Sequence, residues 1–322
     1  MEIMNQSARL AESVGSERIP LANKRKDYLK RAFPFYLMIF PGLLVFLVFK
    51  YVPMFGVFIA FKNYSPFRGV WKSEWIGLEN FVRLFSEHDF LLLLKNTLFL
   101  NMLDTFIAFP FTIMVALFLN EVSSKHFKNS IQTILYAPHF LSWVVIVGIT
   151  MLFLRTQDGG VNVLLNALGF ESINFFSNAG SFRSIWLFHN IWQGAGWGAI
   201  IYLAAIASID PALYEAAKVD GASRLRQMWH ITLPSLKTVI VIMFILRLGN
   251  FIDVGFEHIF LLQNPLNLQV SDVFETFVYR IGLVQGDFSY STAVGLFKSV
   301  VGLVMIVAAN KIAKRFGEEG VY

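Results

Sequence analysis

The chain has 322 residues, of which 56% are hydrophobic, 16% aromatic and only 15% charged, with a mean hydropathy of +0.57. A soluble domain carries about 25% charged residues, so this composition excludes an ordinary aqueous globule and points to a polytopic membrane protein. Cysteine is absent, which excludes disulfides, thiolate nucleophiles and Cys-ligated metals; the net charge of +5 does not signal a nucleic-acid partner, because Lys and Arg lie beside apolar runs and form no single basic face.

Residues 1–32 are polar, contain no run of signal-peptide type, and read as an uncleaved, flexible cytoplasmic arm ending in the basic cluster Lys24, Arg25, Lys26, Lys30 and Arg31. Six apolar segments follow, at 33–61, 94–119, 131–154, 185–207, 239–262 and 292–313. Each is long enough to cross a hydrocarbon core of about 30 Å, which takes roughly 20 helical residues. Only helices satisfy their own backbone in lipid at these lengths, so the fold class is all-α: a polytopic bundle of six transmembrane helices over 33–313, with a short cytoplasmic tail at 314–322. With the N-terminus inside, the cytoplasmic pieces hold 16 Lys and Arg against 7 outside, which places both termini in the cytoplasm. Trp71, Trp75, Trp143, Trp186 and Trp192 gather near the outer boundary, where an amphipathic ring is well solvated at one end.

The fourth loop, on the cytoplasmic side, breaks the apolar pattern with EAAKVDGASRLRQMWHITLP at 215–234. Asp210 and Pro211 open a short helix. Ala216 and Ala217 thin it for close approach, Gly221 turns the chain, and a second short helix ends at Pro234. The product is a helix-turn-helix knuckle suited to a groove on another protein, although an amphipathic loop between two membrane helices can also be mere packing.

The spacing of Glu215, Ala216 and Ala217, then Asp220 and Gly221, then Ile231, Leu233 and Pro234 resembles the EAA loop of permease subunits in type I ATP-binding-cassette importers. IWQGAGWGAIIYLAAIASIDPALYEAA, GLENFVRLF and KNTLFL look like the sugar-uptake branch, and GFEHIFLLQNPLNLQVSDVFETFVYRIGL with the closing FSYSTAVGLFKSVVGLVMIVAANKIAKRF is similar to the group for polysaccharides and complex oligosaccharides, importers of the acidic polysaccharide alginate included. The resemblance runs from about residue 33 to the C-terminus. It implies the MetI-like permease fold, residence in the bacterial cytoplasmic (inner) membrane, and a coupling loop at 209–236 that receives ATPase closure. It also implies partners: a second permease subunit of different sequence, two ATPase subunits that bind ATP and Mg, an extracytoplasmic solute-binding protein, membrane lipid and a saccharide. The chain itself has no G-x-x-x-x-G-K-[ST] phosphate loop, so it is a transport subunit without its own cofactor and not an enzyme. By this resemblance Glu215 makes the main polar contact with the ATPase, Ala216 and Ala217 allow approach, Gly221 with Asp220 turns the loop, and Leu233 and Pro234 fix its exit.

Ionisable groups inside spans are costly and normally face a cavity or a partner. On one continuous helix, Arg247, Asn250, Asp253, Glu257 and His258 of the fifth span share an arc of about 140°. That face reads either as lining of the translocation path or as an internal ion pair of Arg247 with Asp253 or Glu257. In the fourth span His189, Gln193 and Trp197 recur every four residues beside Asn190, a combination of hydrogen bonds and a flat ring suited to sugars. His189 has no second His at metal-ligand spacing, and Gly194, Gly196 and Gly198 suit close helix packing. Asn101, Asp104 and Thr105 of the second span read equally as interhelical glue or pore lining. Lys298, in the sixth span, either attracts an acidic sugar or snorkels to the interface, as Lys50 does in the first. The competing function is a self-contained, ion-coupled secondary transporter, with these polar groups as a proton relay. The absence of inverted repeats weighs against it, and no G-x-S-x-G or H-E-x-x-H run supports an intramembrane hydrolase.

Overall fold

The computed structural model describes residues 21–315, with side chains from residue 32 onward. The chain divides into two units, residues 1–57 and 58–322. The first is built on helix α1, Leu21–Phe46, prolonged by a π turn at Leu47–Tyr51. Most of the arm expected at 1–32 lies outside the described residues, but from Leu21 the chain is already helical, twelve residues before the apolar run begins. The apolar stretch Ala32–Phe61 matches the first expected span, and none of its most hydropathic window is buried.

In the second unit a two-stranded hairpin, β1 (Lys62–Asn63) and β2 (Glu74–Trp75), pairs Lys62 with Trp75. Helix α2 (Glu79–Ser86) leads into α3 (Asp89–Leu103), which passes through a π turn at Asp104–Ala108 into α4 (Phe109–Glu121). Together α3 and α4 form one span, Asp89–Glu121. The third expected span, 131–154, is not one helix. Helix α5 (Lys125–Tyr136) and the following 3₁₀ turn meet α6 (Trp143–Leu154) at a bend of 102°. Pro138 opens that turn, Leu141 goes extended, and the Ser142 hydroxyl accepts from Val145 N at 3.4 Å to restart the helix.

Helix α7 (Gly160–Ala167) lies in the loop after α6, and α8 (Ala179–Ala207) is the long fourth span. After it come α9 (Pro211–Val219), α10 (Arg224–Gln227) with its continuation through Ser235, and α11 (Lys237–Gly249). The fifth expected span stops at Gly249. Asn250–Gly255 is non-helical, Asp253 Oδ1 accepts from Gly255 N at 3.1 Å, and Gly255 takes φ +82°, which an L side chain resists. Helix α12 (Phe256–Leu262) then sets off anew, followed by α13 (Phe274–Val278) and the sixth span α14 (Phe288–Arg315). By length and apolarity the described residues offer three crossing helices, or six where each bent pair counts as one span. The last residues of the expected tail, 316–322, lie outside the described residues.

Three apolar clusters hold the second unit. One joins α4, α8 and the loop beyond it through Phe109, Ile113, Tyr202, Met228 and Leu236. A second joins α2, α3, α13 and α14 through Leu84, Leu93, Phe274 and Tyr290, and a third joins α3, α6, α8 and α12 through Leu100, Val147, Trp186 and Ile259. Close packing falls where glycine permits it: a Cβ on Gly196 would meet the Leu135 carbonyl oxygen of α5 at 2.1 Å. Gly198 packs similarly on Thr112, whereas Gly194 has nothing within 4 Å and borders a cavity instead. Trp186, expected at the interface, is 2% exposed and belongs to the third cluster. In the segment before α14, Asp272 binds Arg280 at 2.6 and 3.1 Å, and that hydrogen bond raises the guanidinium above its ordinary pKa.

Candidate functional site

The knuckle at 209–236 is built locally. Asp210 Oδ1 accepts from Ala212 N at 2.9 Å and caps α9, with Pro211 in the first turn. At the other end Gly221 has φ +72°, Gly221 N donates to Lys218 O at 3.1 Å, and Ala222 N donates to Ala217 O at 2.8 Å. This is the glycine-closed helix end that satisfies the last free carbonyls. Ser223 then caps α10. Pro234 does not end the second arm. The helix runs from Arg224 to Ser235, and a π turn at Met228–Thr232 makes room for the missing N–H; the chain bends by 58° only at Leu236.

Two hydrogen bonds hold the knuckle's shape. The Tyr214 hydroxyl lies 2.9 Å from Thr232 Oγ1 and ties α9 to the second arm, and Arg224 Nη1 donates to Ser123 Oγ at 3.1 Å, tying the knuckle to the chain just beyond α4. Meanwhile Glu215, Ala216, Asp220, Gly221 and Pro234 face outward, and the exposed Leu213, Val219, Leu225 and Trp229 surround them with apolar surface. Ala217 and Leu233 are half-buried behind. A braced, exposed, partly apolar knob is what a receiving groove requires. Tyr214→Phe is expected to leave the bundle intact and cut transport severalfold by loosening α9, read as uptake per assembled complex; unchanged uptake would remove any mechanical role for this brace.

The polar residues of the fourth and fifth spans do not form one stripe, because the break at Gly249 ends the helix on which that arc was drawn. They divide between two cavities. One, of about 410 Å³, is bordered by Asp104 and Thr112, by Asn190 and Gln193, and by Arg247 and Asn250. The other, of about 470 Å³, is bordered by Asn250, Asp253, Phe256, Glu275 and Lys298. Asn250 borders both. Gln193 also donates to the Leu141 carbonyl at 3.2 Å, where the third span is broken.

Each cavity contains an ion pair that spacing did not reveal. Arg247 pairs with neither Asp253 nor Glu257 but with Asp104, whose carboxylate and backbone oxygen, the latter at 3.1 Å, both receive its guanidinium. Lys298 does not snorkel: its ammonium binds Glu275, with side-chain exposures of 16% and 8%. Asp104 is therefore cavity lining, whereas its neighbour Asn101 spends its amide on Thr97 O at 3.0 Å within its own helix.

Four expected path residues, His189, His258, Trp197 and Glu257, lie outside both cavities. His189 is fully buried, with Nε2 2.7 Å from Thr150 Oγ1 and Nδ1 3.0 Å from Nε2 of His258, which stacks on Trp143. That chain fastens α6, α8 and α12. Trp197 stacks on His139 at 4.5 Å, and Glu257 is exposed. The residues missed from sequence are Thr112 and Glu275.

A bundle of apolar helices broken at three points, with polar cavities inside it and a braced knob outside it, defines the permease class of membrane transport subunit. The chain belongs to the family of binding-protein-dependent transport system inner membrane components, whose model matches residues 108–318. It is 55% identical over 287 residues, 89% of each chain, to the polygalacturonan/rhamnogalacturonan transport system permease protein of Bacillus subtilis (strain 168). It is 29% identical, over 91% of this chain and 92% of the other, to the arabinooligosaccharides transport system permease protein of the same organism. Its fold matches a chain in the crystal structure of a bacterial alginate ABC transporter in complex with alginate pentasaccharide-bound periplasmic protein, with a TM-score of 0.84 and 40% identity over 92% of this chain and 99% of that one. The chain is a membrane-embedded permease subunit of an ABC importer, and the self-contained secondary transporter is set aside by that membership.

Proposed function

We propose that this subunit carries an acidic oligosaccharide inward across the cytoplasmic membrane, in a path formed with a second, different permease chain. ATP is bound and hydrolysed, with Mg, on two partner ATPase subunits that grip the knuckle at 209–236, and an extracytoplasmic solute-binding protein delivers the cargo. Both termini lie in the cytoplasm, as the Lys and Arg bias favours. Asn190, Gln193, Arg247 and Asn250 border the path, Asp253 and Lys298 border its neighbouring cavity, and Glu215 with Ala216 and Ala217 makes the ATPase contact.

The observation that carries this reading is the knuckle: a capped, glycine-closed helix-turn-helix that exposes Glu215 and Ala216 while Tyr214 ties its two arms together and Arg224 anchors it to the chain beyond α4. The cargo class is supported by the two similar proteins that are both associated with uronate polymers, polygalacturonan and alginate, at 55% and 40% identity. A neutral pentose oligosaccharide, the cargo named for the 29% relative, has less support.

The test is reconstitution of the complete transporter in liposomes with ATP. A short oligogalacturonide should be taken up in preference to a neutral arabino-oligosaccharide, and Glu215→Lys should reduce uptake to background while the permease still inserts. Uptake by the lone permease under an ion gradient, or normal transport by Glu215→Lys, would defeat the coupling assignment.

A further inference from the structure

The two ion pairs differ in a way that separates their roles. Asp104 and Arg247 keep 26% and 29% of their side chains exposed, whereas Glu275 and Lys298 keep 8% and 16%. Around Arg247 there is also spare donor capacity. Arg247 Nε and Asn190 Nδ2 are buried without hydrogen-bond partners, and both residues border the same cavity. Asp104 is the single carboxylate among the residues bordering it. Buried donors left unmatched cost free energy and await an acceptor.

The backbone on both sides is irregular. Asp104 opens a π turn inside an otherwise continuous span, and Arg247 stands two residues before α11 gives way at Gly249. Single π turns inside helices recur at functional positions.

We propose that Asp104 is a resident counter-ion for Arg247, occupying the place that a substrate carboxylate takes during transport. This rests on the reading of the cargo as an acidic oligosaccharide. A uronate offers the guanidinium the same planar, two-oxygen acceptor that aspartate does, so Arg247 changes partner without its charge being stranded. The displaced Asp104 borders the cavity and keeps 26% of its side chain exposed, so it can be hydrated there. A neutral sugar has nothing to exchange: it would separate the pair and leave the arginine uncompensated, and this asymmetry excludes it. Asn190, with its unmatched amide, is placed to receive a second oxygen of the incoming sugar.

The experiment uses the assembled transporter in liposomes, with a short oligogalacturonide and its carboxyl-reduced neutral counterpart as probes. Asp104→Asn removes the competing carboxylate and keeps the side-chain shape. It should lower the half-saturating concentration for the acidic probe by about fivefold or more, the solvent-exposed value being the lower bound for a pair this buried, without improving uptake of the neutral one. Arg247→Gln should weaken uptake of the acidic probe selectively. If Asp104→Asn depresses both probes alike, or prevents assembly with the ATPase subunits, the pair is a structural fastening and the exchange is overturned while the cargo reading stands. If the wild-type transporter carries neither probe, or the neutral one alone, the cargo reading falls and the exchange falls with it.

Discussion

Replacing Gly221 with proline should abolish uptake and stop the ATPase subunits co-purifying, while the membrane bundle stays folded. Three features of the knuckle require this outcome. Gly221 sits at φ +72°, and a proline ring fixes φ near −65°, so the chain cannot turn at this point as it now does. The Gly221 N–H is spent on Lys218 O at 3.1 Å, and proline has none to give. The adjoining bond from Ala222 N to Ala217 O closes the end of α9 and would be lost as the turn opens. Together these cost about 3 kcal/mol or more, enough to reorient the helix that exposes Glu215. The damage is local, because no residue from Glu215 to Ser223 belongs to any of the three apolar clusters. Gly221→Ala keeps the N–H and pays only the left-handed strain of about 1–2 kcal/mol, so it should retain part of the activity. Membrane-fraction yield, co-purification and ATP-driven uptake read the three consequences separately. Normal uptake by the proline variant would mean that the knuckle's geometry carries no force.

How much of this was legible beforehand depends on the range of the interaction concerned. Apolar length alone located Ala32–Phe61, Asp89–Glu121 and Phe288–Arg315, since a bilayer demands it whatever the packing. The knuckle was equally legible, because Asp210, Pro211 and Gly221 act on their immediate neighbours. The bends were written less plainly. Pro138 and Gly255 stand in apolar runs long enough to cross a membrane, and only the structure shows the chain breaking there, at 102° in the first case. The helical arc through Arg247, Asp253 and Glu257 assumed continuity across Gly249–Gly255 and failed with it. Ion pairing was beyond reach: Asp104 and Arg247 are 143 residues apart, and Glu275 lies in a segment expected to be an external loop, 23 residues before Lys298. His189 shows the converse case, a residue picked for its polarity whose two ring nitrogens are both committed to packing partners.

The second large effect is expected at Lys298, and it is one of stability. Lys298 in α14 reaches Glu275 in α13, and their side chains retain 16% and 8% exposure. Glu275 Oε2 is buried with no partner even in the intact protein. Lys298→Ala therefore leaves a carboxylate in a low-dielectric site with its counter-charge gone. Breaking a buried pair from one side costs about 3–5 kcal/mol, whereas replacing both members with apolar groups of similar volume is often neutral. Lys298→Ala should accordingly lower the detergent-solubilised melting temperature and the yield of folded subunit. The double variant Lys298→Met with Glu275→Leu should recover most of both. The two pairs thus answer in opposite senses. The partly exposed pair at Arg247 alters which sugar is carried, and the buried pair at Lys298 alters whether there is a folded carrier at all. Unchanged thermal stability in Lys298→Ala, or a double variant no more stable than the single, would show that this pair does not fasten α13 to α14.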